Sequence, residues 1–304
     1  MILISACLAG VNCKYNGATN HNEKGERLVK AGKAIPICPE VLGGLSTPRN
    51  PCEIRLIQGK KSVVDENDND FTAEFELGAK KTLGICQVLD IHRVILQERS
   101  PSCGKGKVYS GNFDGKLIAG NGLVAELLIN NGISVATIDE TIDIDECEVG
   151  EMGQLEAETI VNWSYPDLYK CYNMNGDYSA VAELLAGDYY SVLEEGVLIG
   201  FYCYGRSAQI PIMASKGHYD DEGYVDIGLG LHPDLCGVGN GSDFMKLGID
   251  YGRQIKGAKA FRLSVAYFNH KAIKLYKNLG FEPISDFLRA SDQQRFIIMT
   301  KKVL

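Results

Sequence analysis

The chain has 304 residues, of which 45% are hydrophobic and 23% charged, and its formal net charge is −8. This composition excludes a disordered chain, and the length predicts two domains rather than one. The halves 1–150 and 151–304 each carry −4 without a block of Lys and Arg, so we expect no stable nucleic-acid binding. No apolar run approaches the ~18 residues of a spanning helix, and the start is expected to be a strand rather than a signal peptide. We therefore expect a soluble, cytoplasmic protein without membrane contact.

Short, mostly buried strands alternate with helices in the first 140 residues. The strands are predicted at Ile2–Ser5, Ala34–Cys38, Val94–Gln97 and Ser134–Ile138. Helices are predicted from about Asp70 onward and from Gly122 to Asn131. This alternation is typical of an α/β domain with a mostly parallel sheet. We assign that domain to residues 1–144 and interpret the acidic stretch 145–166 as a linker.

The pattern changes in the second half, where residues 167–304 are predicted to form an α+β domain with a mixed sheet. The predicted elements, in chain order, are a helix at Tyr178–Leu185, strands at Ser191–Glu194, Val197–Tyr204 and Tyr224–Leu231, a helix at Ser242–Ile255, a strand at Ala260–Val265, a helix at His270–Leu279 and a strand at Arg295–Lys301.

Thiols are grouped in the first domain. A disulfide framework is not expected in a cytosolic chain of this size, so grouped thiols indicate metal binding or catalysis. Cys7, Cys38 and Cys103 each follow or end a predicted strand, and ligands of an open α/β sheet lie beyond the carboxyl ends of its strands. Three thiols fit an iron–sulfur cluster or zinc, and spacing alone does not distinguish the two. Cys13 or Cys52 could supply a fourth ligand and close the site.

The segments around these thiols resemble the motifs of the thiouracil desulfurase family over about residues 1–140. They are SACLAG at 5–10, KYNG at 14–17, CPE at 38–40, GGLSTPR at 43–49 and SPSCG at 100–104. The resemblance implies a 4Fe-4S cluster held by Cys7, Cys38 and Cys103 with one iron left open. It also implies removal of sulfur from a thiolated pyrimidine such as 2-thiouracil, giving uracil and sulfide. In that reaction Glu40 would transfer a proton and Ser102 would hydrogen-bond to substrate or sulfide.

A glycine-rich turn joins a strand to a helix in the second domain. Gly237, Gly239 and Gly241 allow backbone N–H groups to approach an anion at the helix N-terminus, where the helix dipole favours phosphate. Such a turn alone is weak evidence for a particular cofactor. A dinucleotide fold is not favoured, because no second βαβ half follows.

The strand, the turn and the segment NHKAIKLYKNLGF at 269–281 together resemble a GNAT acyltransferase domain over about residues 167–304. The resemblance implies that acetyl-CoA is the cofactor and that an amine, whose identity the sequence does not give, is the acceptor. Tyr276 would then protonate the departing thiolate. The implied cofactor contacts are Leu229, Leu231, Gly237, Val238, Gly239, Asn240, Gly241, Ser242 and Asn269.

The second domain departs from the family pattern at Cys236, where Arg or Gln is usual, and its general base is open between Asp226 and Glu222. We therefore consider three hypotheses. The first is a bifunctional desulfurase and N-acetyltransferase. The second is an iron–sulfur sensing module that regulates the GNAT domain. The third is that the GNAT domain is a CoA-binding scaffold without catalytic activity.

Overall fold

The computed structural model of the chain describes residues 1–57, 59–210, 217–289 and 292–303. The chain divides into two compact units, which are 1–141 with 237–239, and 142–236 with 240–304. Within the described ranges, no helix combines the length and the apolar content that crossing a membrane requires.

A parallel sheet flanked by helices forms the first unit, which confirms the α/β class. Its strands are β1 (Ile2–Ser5), β2 (Ala34–Ile37), β3 (Cys52–Ile57), β4 (Lys60–Asp65), β5 (Arg93–Ile95), β6 (Lys107–Tyr109), β7 (Leu117–Ala119) and β8 (Ser134–Ala136). Its helices are α1 (Glu23–Lys30), α2 (Pro39–Leu42), α3 (Thr72–Val88) and α4 (Leu123–Asn130). The parallel sheet has the order β2-β1-β5-β8, while β3–β4 and β6–β7 are antiparallel pairs.

Strand β1 is buried on both faces, as expected for a parallel strand covered by helices. Successive side chains point to opposite faces. Leu3 accordingly packs in a cluster that includes Leu128 of α4, whereas Ile4 packs with Leu28 of α1. Both β1 side chains are fully buried. The strand is therefore fixed in position, and the chain leaving its carboxyl end starts from a rigid support.

The second unit is a mixed sheet with helices, as predicted. Its strands are β9 (Cys147–Glu151), β10 (Tyr189–Glu194), β11 (Val197–Tyr204), β12 (Val225–Leu231), β13 (Ala260–Ala266), β14 (Glu282–Leu288) and β15 (Arg295–Lys302). Its helices are α5 (Gln154–Ile160), α6 (Tyr178–Ala186), α7 (Gly241–Lys256) and α8 (His270–Asn278). The order is β14-β15-β13-β12-β11-β10-β9, with β12 and β13 parallel and the other neighbours antiparallel.

The stretch 145–166, predicted as a linker, contains regular structure of the second unit. Strand β9 pairs with β10 at the sheet edge, and Ala157 and Ile160 of α5 are buried with Val181 and Leu184 of α6. The edge strand is acidic and only partly buried, which explains why its sequence lacks a clear alternating pattern.

Helix α7 is held against the sheet by two buried tyrosines of β11. The hydroxyl of Tyr202 donates to the Phe244 carbonyl at 2.6 Å, and that of Tyr204 donates to the Gly248 carbonyl at 2.6 Å. A Cβ on Gly248 would lie 2.6 Å from the Tyr202 ring, so glycine is required for this close approach. Both rings are fully buried, and their hydroxyl groups are satisfied by helix backbone.

A buried ion pair joins β12 and β13. Arg262 donates through Nε and Nη2 to Asp226 at 2.6 and 2.9 Å, and both residues are 3% exposed. We expect Arg262→Met to lower the free energy of unfolding by about 3–5 kcal/mol, because it leaves a buried carboxylate unpaired. The matched control is Arg295→Met, which removes an exposed pair with Asp286 and should cost about 1 kcal/mol or less. Urea denaturation measures both; equal losses would contradict the prediction.

Candidate functional sites

The cysteines of the first candidate site lie beyond the carboxyl ends of neighbouring parallel strands. Cys7 follows β1, Cys38 follows β2, and Cys103 lies in the loop after β5. Because these three strands are adjacent and parallel, their carboxyl ends open on one edge of the sheet. Cys7 and Cys103 are buried, and Cys38 is partly buried. The topology therefore brings the three predicted ligands to the same edge.

Contacts group three of the cysteines, Cys7, Cys13 and Cys38, into one thiol pocket. Cys7 and Cys13 are buried together, and Cys38 packs against them. On the other side, the hydroxyl of Ser5 donates to the Cys103 sulfur at 3.5 Å and accepts from the backbone N–H of Gln97 at 2.9 Å. Ser5 thus ties the end of β1 both to the segment after β5 and to Cys103.

Of the two thiols left open as a fourth ligand, Cys13 lies in this pocket. Cys52 instead packs with Ile54 and Val63, and its thiol donates to the Asn50 carbonyl at 3.7 Å. The structure therefore separates the two candidates by place, although both belong to the same unit.

Burial and hydrogen bonds raise the pKa values of Cys13, Cys38 and Cys103, which keeps these three thiols in the neutral form. Burial raises the pKa of Cys103 to about 12, against a smaller opposite effect of the Ser5 hydroxyl. The pKa of Cys38 is raised by a hydrogen bond with Cys13 and by burial. At Cys13 the hydrogen bond with Cys38 lowers the pKa, but a hydrogen bond with Cys7 and burial together raise it to about 11. Ligation requires thiolates, so a cationic group bound here would have to displace these protons.

The donor set fits the iron–sulfur group that the motifs imply, because buried thiols grouped at one sheet edge are the ligands such clusters use. Cys7, Cys38 and Cys103 would hold it. In the part of the chain that the structure describes, no three His, Cys, Asp or Glu side chains have the arrangement of a site for a single metal ion.

A carboxylate beside the thiols is held by an arginine. Arg49 donates through Nε to Glu40 Oε2 at 3.0 Å and also pairs with that oxygen through Nη2. The hydroxyl of Ser100 donates to Glu40 Oε1 at 3.1 Å. Both members of the ion pair are largely buried. Glu40 is therefore fixed as a hydrogen-bond acceptor at the pocket, and Arg49 is occupied by protein rather than free for an anion.

The loop 100–104 contains two serines with different environments. Ser100 Oγ accepts from the backbone N–H groups of Ser102 and Cys103 at 3.0 and 3.1 Å, so it shapes the loop. Ser102 is 1% exposed, and its hydroxyl has no hydrogen-bond partner among the described residues. A buried hydroxyl without a partner is costly. The Ser102 hydroxyl is thus available to a group that binds beside Cys103. The hydrogen bond from Ser100 to Glu40 was not predicted from the sequence.

The second candidate site is an opening between β12 and β13. The two strands pair only at Val225 with Phe261 and at Asp226 with Arg262. Beyond Asp226, this edge of β12 has no strand partner within the described ranges. The backbone N–H of His232 donates to the carbonyl of Ile199 in β11. By alternation, Leu229 and Leu231 therefore direct their backbone groups to the open edge. That edge can bind an extended amide-containing chain.

Two residues already contact the end of this edge. The hydroxyl of Tyr165 donates to the Leu231 carbonyl at 2.8 Å, and the thiol of Cys236 lies 3.6 Å from the same oxygen. Tyr165 was not predicted as a site residue, because it is 66 positions away in the sequence. Burial raises the pKa of the Cys236 thiol to about 11, so it offers no charge to a phosphate.

The glycine-rich turn adopts backbone conformations that favour glycine. Gly237 has φ +76° and Gly239 has φ +93°, both in the left-handed region. The turn leads into α7, which begins at Gly241 and has 16 residues. Asn240 is buried and braces the turn, since its amide donates to the Leu235 carbonyl at 3.0 Å and accepts from the Ile142 N–H at 3.2 Å. Val238 is also buried, and Ser242 is half-buried in the first turn of α7.

Some of the residues expected to contact acetyl-CoA or to act in acetyl transfer are already hydrogen-bonded or ion-paired within the protein, and others are not. Asn269 caps α8 by accepting from the Ala272 N–H at 3.2 Å, and it donates to the Tyr172 hydroxyl at 3.5 Å. Burial raises the pKa of Tyr276 above its usual range, so its hydroxyl stays protonated. Asp226 is committed to Arg262 and is a structural residue, while Glu222 is exposed.

Comparison with known proteins gives matches to both halves. The 2-thiouracil desulfurase family model matches residues 2–140, and the acetyltransferase (GNAT) family model matches residues 157–281. The uncharacterized protein YbbK of Bacillus subtilis (strain 168) is 43% identical over 150 residues, covering 47% of this chain and 99% of YbbK.

Two solved structures illustrate the two halves. The 4Fe-4S-dependent thiouracil desulfidase TudS is 42% identical and matches over 46% of this chain and 91% of that chain, with a TM-score of 0.43. YncA, a putative acetyltransferase from Salmonella typhimurium with its cofactor acetyl-CoA, is 16% identical over 52% of this chain and 94% of that chain, with a TM-score of 0.37.

A parallel sheet with grouped thiols at its carboxyl edge is joined in one chain to a mixed sheet with an open parallel pair. Together with the family matches, this defines a fusion of two enzyme-type domains. The chain belongs to the 2-thiouracil desulfurase family through residues 2–140, and its residues 157–281 match the acetyltransferase (GNAT) family model.

The raised thiol pKa values predict an unusual pH profile for alkylation of the metal-free protein. Since the pKa of Cys13 is about 11 rather than 9, its reaction rate with iodoacetamide should keep rising up to about pH 11. In the urea-denatured protein, the rate at the same residue should level off near pH 9. Mass spectrometry of the peptide containing Cys13 measures both profiles. Levelling at the same pH in the two states would contradict the assigned environment.

Proposed function

We propose that the first unit removes sulfur from a thiolated pyrimidine such as 2-thiouracil, yielding uracil and sulfide, with a 4Fe-4S cluster held by Cys7, Cys38 and Cys103. The observation that carries this proposal is the grouping of thiols at one sheet edge beside the Glu40–Arg49 pair. The family match supports the substrate class, and TudS is named as a 4Fe-4S-dependent thiouracil desulfidase.

The bound cluster supplies a Lewis-acidic iron that polarises the C–S bond of the thione. Glu40 is held by Arg49 and Ser100, so its carboxylate accepts the proton of the water that attacks the thione carbon. The buried Ser102 hydroxyl donates a hydrogen bond to the departing sulfur beside Cys103. The overall reaction consumes one water molecule and replaces the C=S bond of the thione with a C=O bond, and it releases one hydrogen sulfide.

We also propose that the segment 157–281, which matches the GNAT family model, transfers an acetyl group from acetyl-CoA to an amine. The open edge of β12 at Leu229 and Leu231 pairs with the pantetheine amides, and the backbone from Gly237 to Ser242 binds the pyrophosphate at the start of α7. Tyr276 is protonated and donates to the departing thiolate. Asn269, which follows β13 and precedes α8, contributes its side-chain amide to the binding of acetyl-CoA.

We expect Glu40→Gln to keep the iron content of the wild type but to lose sulfide release from 2-thiouracil by about 100-fold or more, because the amide cannot accept the proton. Anaerobic iron analysis and a sulfide assay on the full chain measure the two quantities. The matched control is Glu66→Gln, an exposed residue of the same unit, which should keep both. Wild-type turnover in the Glu40 variant would contradict the assigned role.

We expect Tyr276→Phe to lower acetyl transfer by about 100-fold or more without changing acetyl-CoA affinity, since the hydroxyl acts on the leaving thiolate. Calorimetry gives the affinity, and CoA release with a panel of primary amines gives the rate. The control is Tyr267→Phe, which changes an exposed tyrosine between β13 and α8 and should leave both quantities unchanged. If the wild type binds acetyl-CoA but no amine releases CoA, the second unit is a binding scaffold.

A further inference from the structure

The connection between α5 and α6, residues 161–177, contacts both sides of the opening between β12 and β13. On one side the Tyr165 hydroxyl donates to the carbonyl of Leu231 in β12 at 2.8 Å. On the other side the Tyr172 hydroxyl accepts from the side-chain amide of Asn269, which lies between β13 and α8, at 3.5 Å. The connection therefore crosses the opening in which the proposed acetyl-CoA site lies.

Three aromatic rings, which we call the aromatic group, meet where this connection reaches the end of β13. Tyr169 and Tyr172 belong to the 3-10 helix Asp167–Tyr172, in which residues three apart lie on the same side. The ring centroids are 6.5 Å apart for Tyr169 and Tyr172, and each lies about 6 Å from Phe268, at 6.0 and 6.1 Å. Phe268 packs against a buried cluster that includes Phe296, whereas Tyr172 is 37% exposed. The aromatic group is thus anchored on one side and presents ring surface on the other.

The aromatic group lies beside the residues that the proposed acetyl transfer uses. Tyr172 contacts Asn269, the N-cap of α8, and Tyr276 lies about two turns further along the same helix face. Long side chains of a helix point back toward its N-terminus, so the Tyr276 side chain leans toward Asn269. In agreement, burial raises the pKa of Tyr276, and the Tyr172 hydroxyl raises it further. An amine that attacks the thioester beside Tyr276 therefore has the aromatic group as a neighbour.

The carboxylate beside the aromatic group is already paired. Burial raises the pKa of Tyr172, while the hydrogen bond with Asn269 and the charge of Arg289 lower it, so the guanidinium acts on this ring. The two carboxylate oxygens of Asp292 accept from Arg289 Nε and Nη2 at 2.9 and 2.5 Å. Recognition of a polyamine requires free carboxylates, and that of Asp292 is committed to Arg289. An uncharged aromatic body fits the ring surface better, because aromatic pairs gain energy in offset and edge contacts.

We propose that the acceptor is an amine with a single amino group and an aromatic ring, and that Tyr169, Tyr172 and Phe268 determine this specificity by binding the ring. This inference rests on the proposed acetyl transfer. The neutral amine nitrogen forms a C–N bond with the acetyl carbonyl carbon as the C–S bond breaks. The products are an N-acetyl amine and the CoA thiol, so the proton lost by nitrogen balances the proton gained by sulfur.

The test compares three amines on the full chain, namely 2-phenylethylamine, n-butylamine and spermidine. CoA release gives kcat and KM, and calorimetry on protein saturated with CoA gives the affinity for 2-phenylethylamine without turnover. The variants are Tyr169→Leu, which removes a ring, and Tyr169→Phe, which keeps it. The matched control is Tyr178→Leu at a tyrosine that is 90% exposed in α6 of the same unit.

We expect kcat/KM of the wild type to be about 10-fold or more higher for 2-phenylethylamine than for the other two amines. Tyr169→Leu should raise KM and the dissociation constant for 2-phenylethylamine about 5-fold, with a smaller change in KM for n-butylamine. Tyr169→Phe and Tyr178→Leu should stay within about 2-fold of the wild type, because the ring surface is kept. A merely structural role of Tyr169 would change KM for both amines equally.

The outcomes separate this inference from the reaction on which it rests. A wild type that prefers spermidine or n-butylamine would overturn the inference and leave the acetyl transfer standing, as would an equal rise of KM for both amines in Tyr169→Leu. If no amine releases CoA, the proposed acetyl transfer fails and the inference is overturned with it. If Tyr169→Leu does not fold, the order of the three amines on the wild type decides.

Discussion

The parallel pairing of β1 with β2 and β5 is the constraint on which the first site depends. It places the segments that follow three strands at one edge of a sheet whose central strand is buried on both faces. Cys7, Cys38 and Cys103 are thereby brought to the same edge of the sheet although they are far apart in the sequence. Ser5 adds a specific link, since its hydroxyl contacts both Cys103 and the backbone after β5.

The second site depends on two parallel strands, β12 and β13, that are hydrogen-bonded at one end and separate beyond it. The buried Asp226–Arg262 ion pair holds β12 and β13 together at one end, and beyond it the edge of β12 is free over the described residues. This explains why Asp226 is unsuitable as a base, since its carboxylate is committed to keeping the strands joined. Tyr165 then contacts the last carbonyl of the open edge at Leu231.

The sequence predicted both fold classes and the residues of the motifs, because strand and helix patterns and the thiol positions are local features. It missed α1, whose buried residues are only Gly25 and Leu28, and β14, which is mostly exposed at a sheet edge. Side-chain contacts between residues far apart in the chain could not be predicted from the sequence either. The Arg49–Glu40 pair and the contact of Ser100 with Glu40, 60 positions away, depend on how loops meet and leave no periodic signal in the sequence.

The central claim is that grouped thiols hold a cluster that acts on a thiolated pyrimidine. The most direct measurement is iron and acid-labile sulfide analysis of the anaerobically reconstituted full chain, combined with sulfide release from 2-thiouracil by the same sample. The account predicts equal iron and sulfide in a cluster bound to each chain, and uracil and sulfide as products. A chain that binds only zinc, or one that holds the cluster but leaves 2-thiouracil intact, would contradict it.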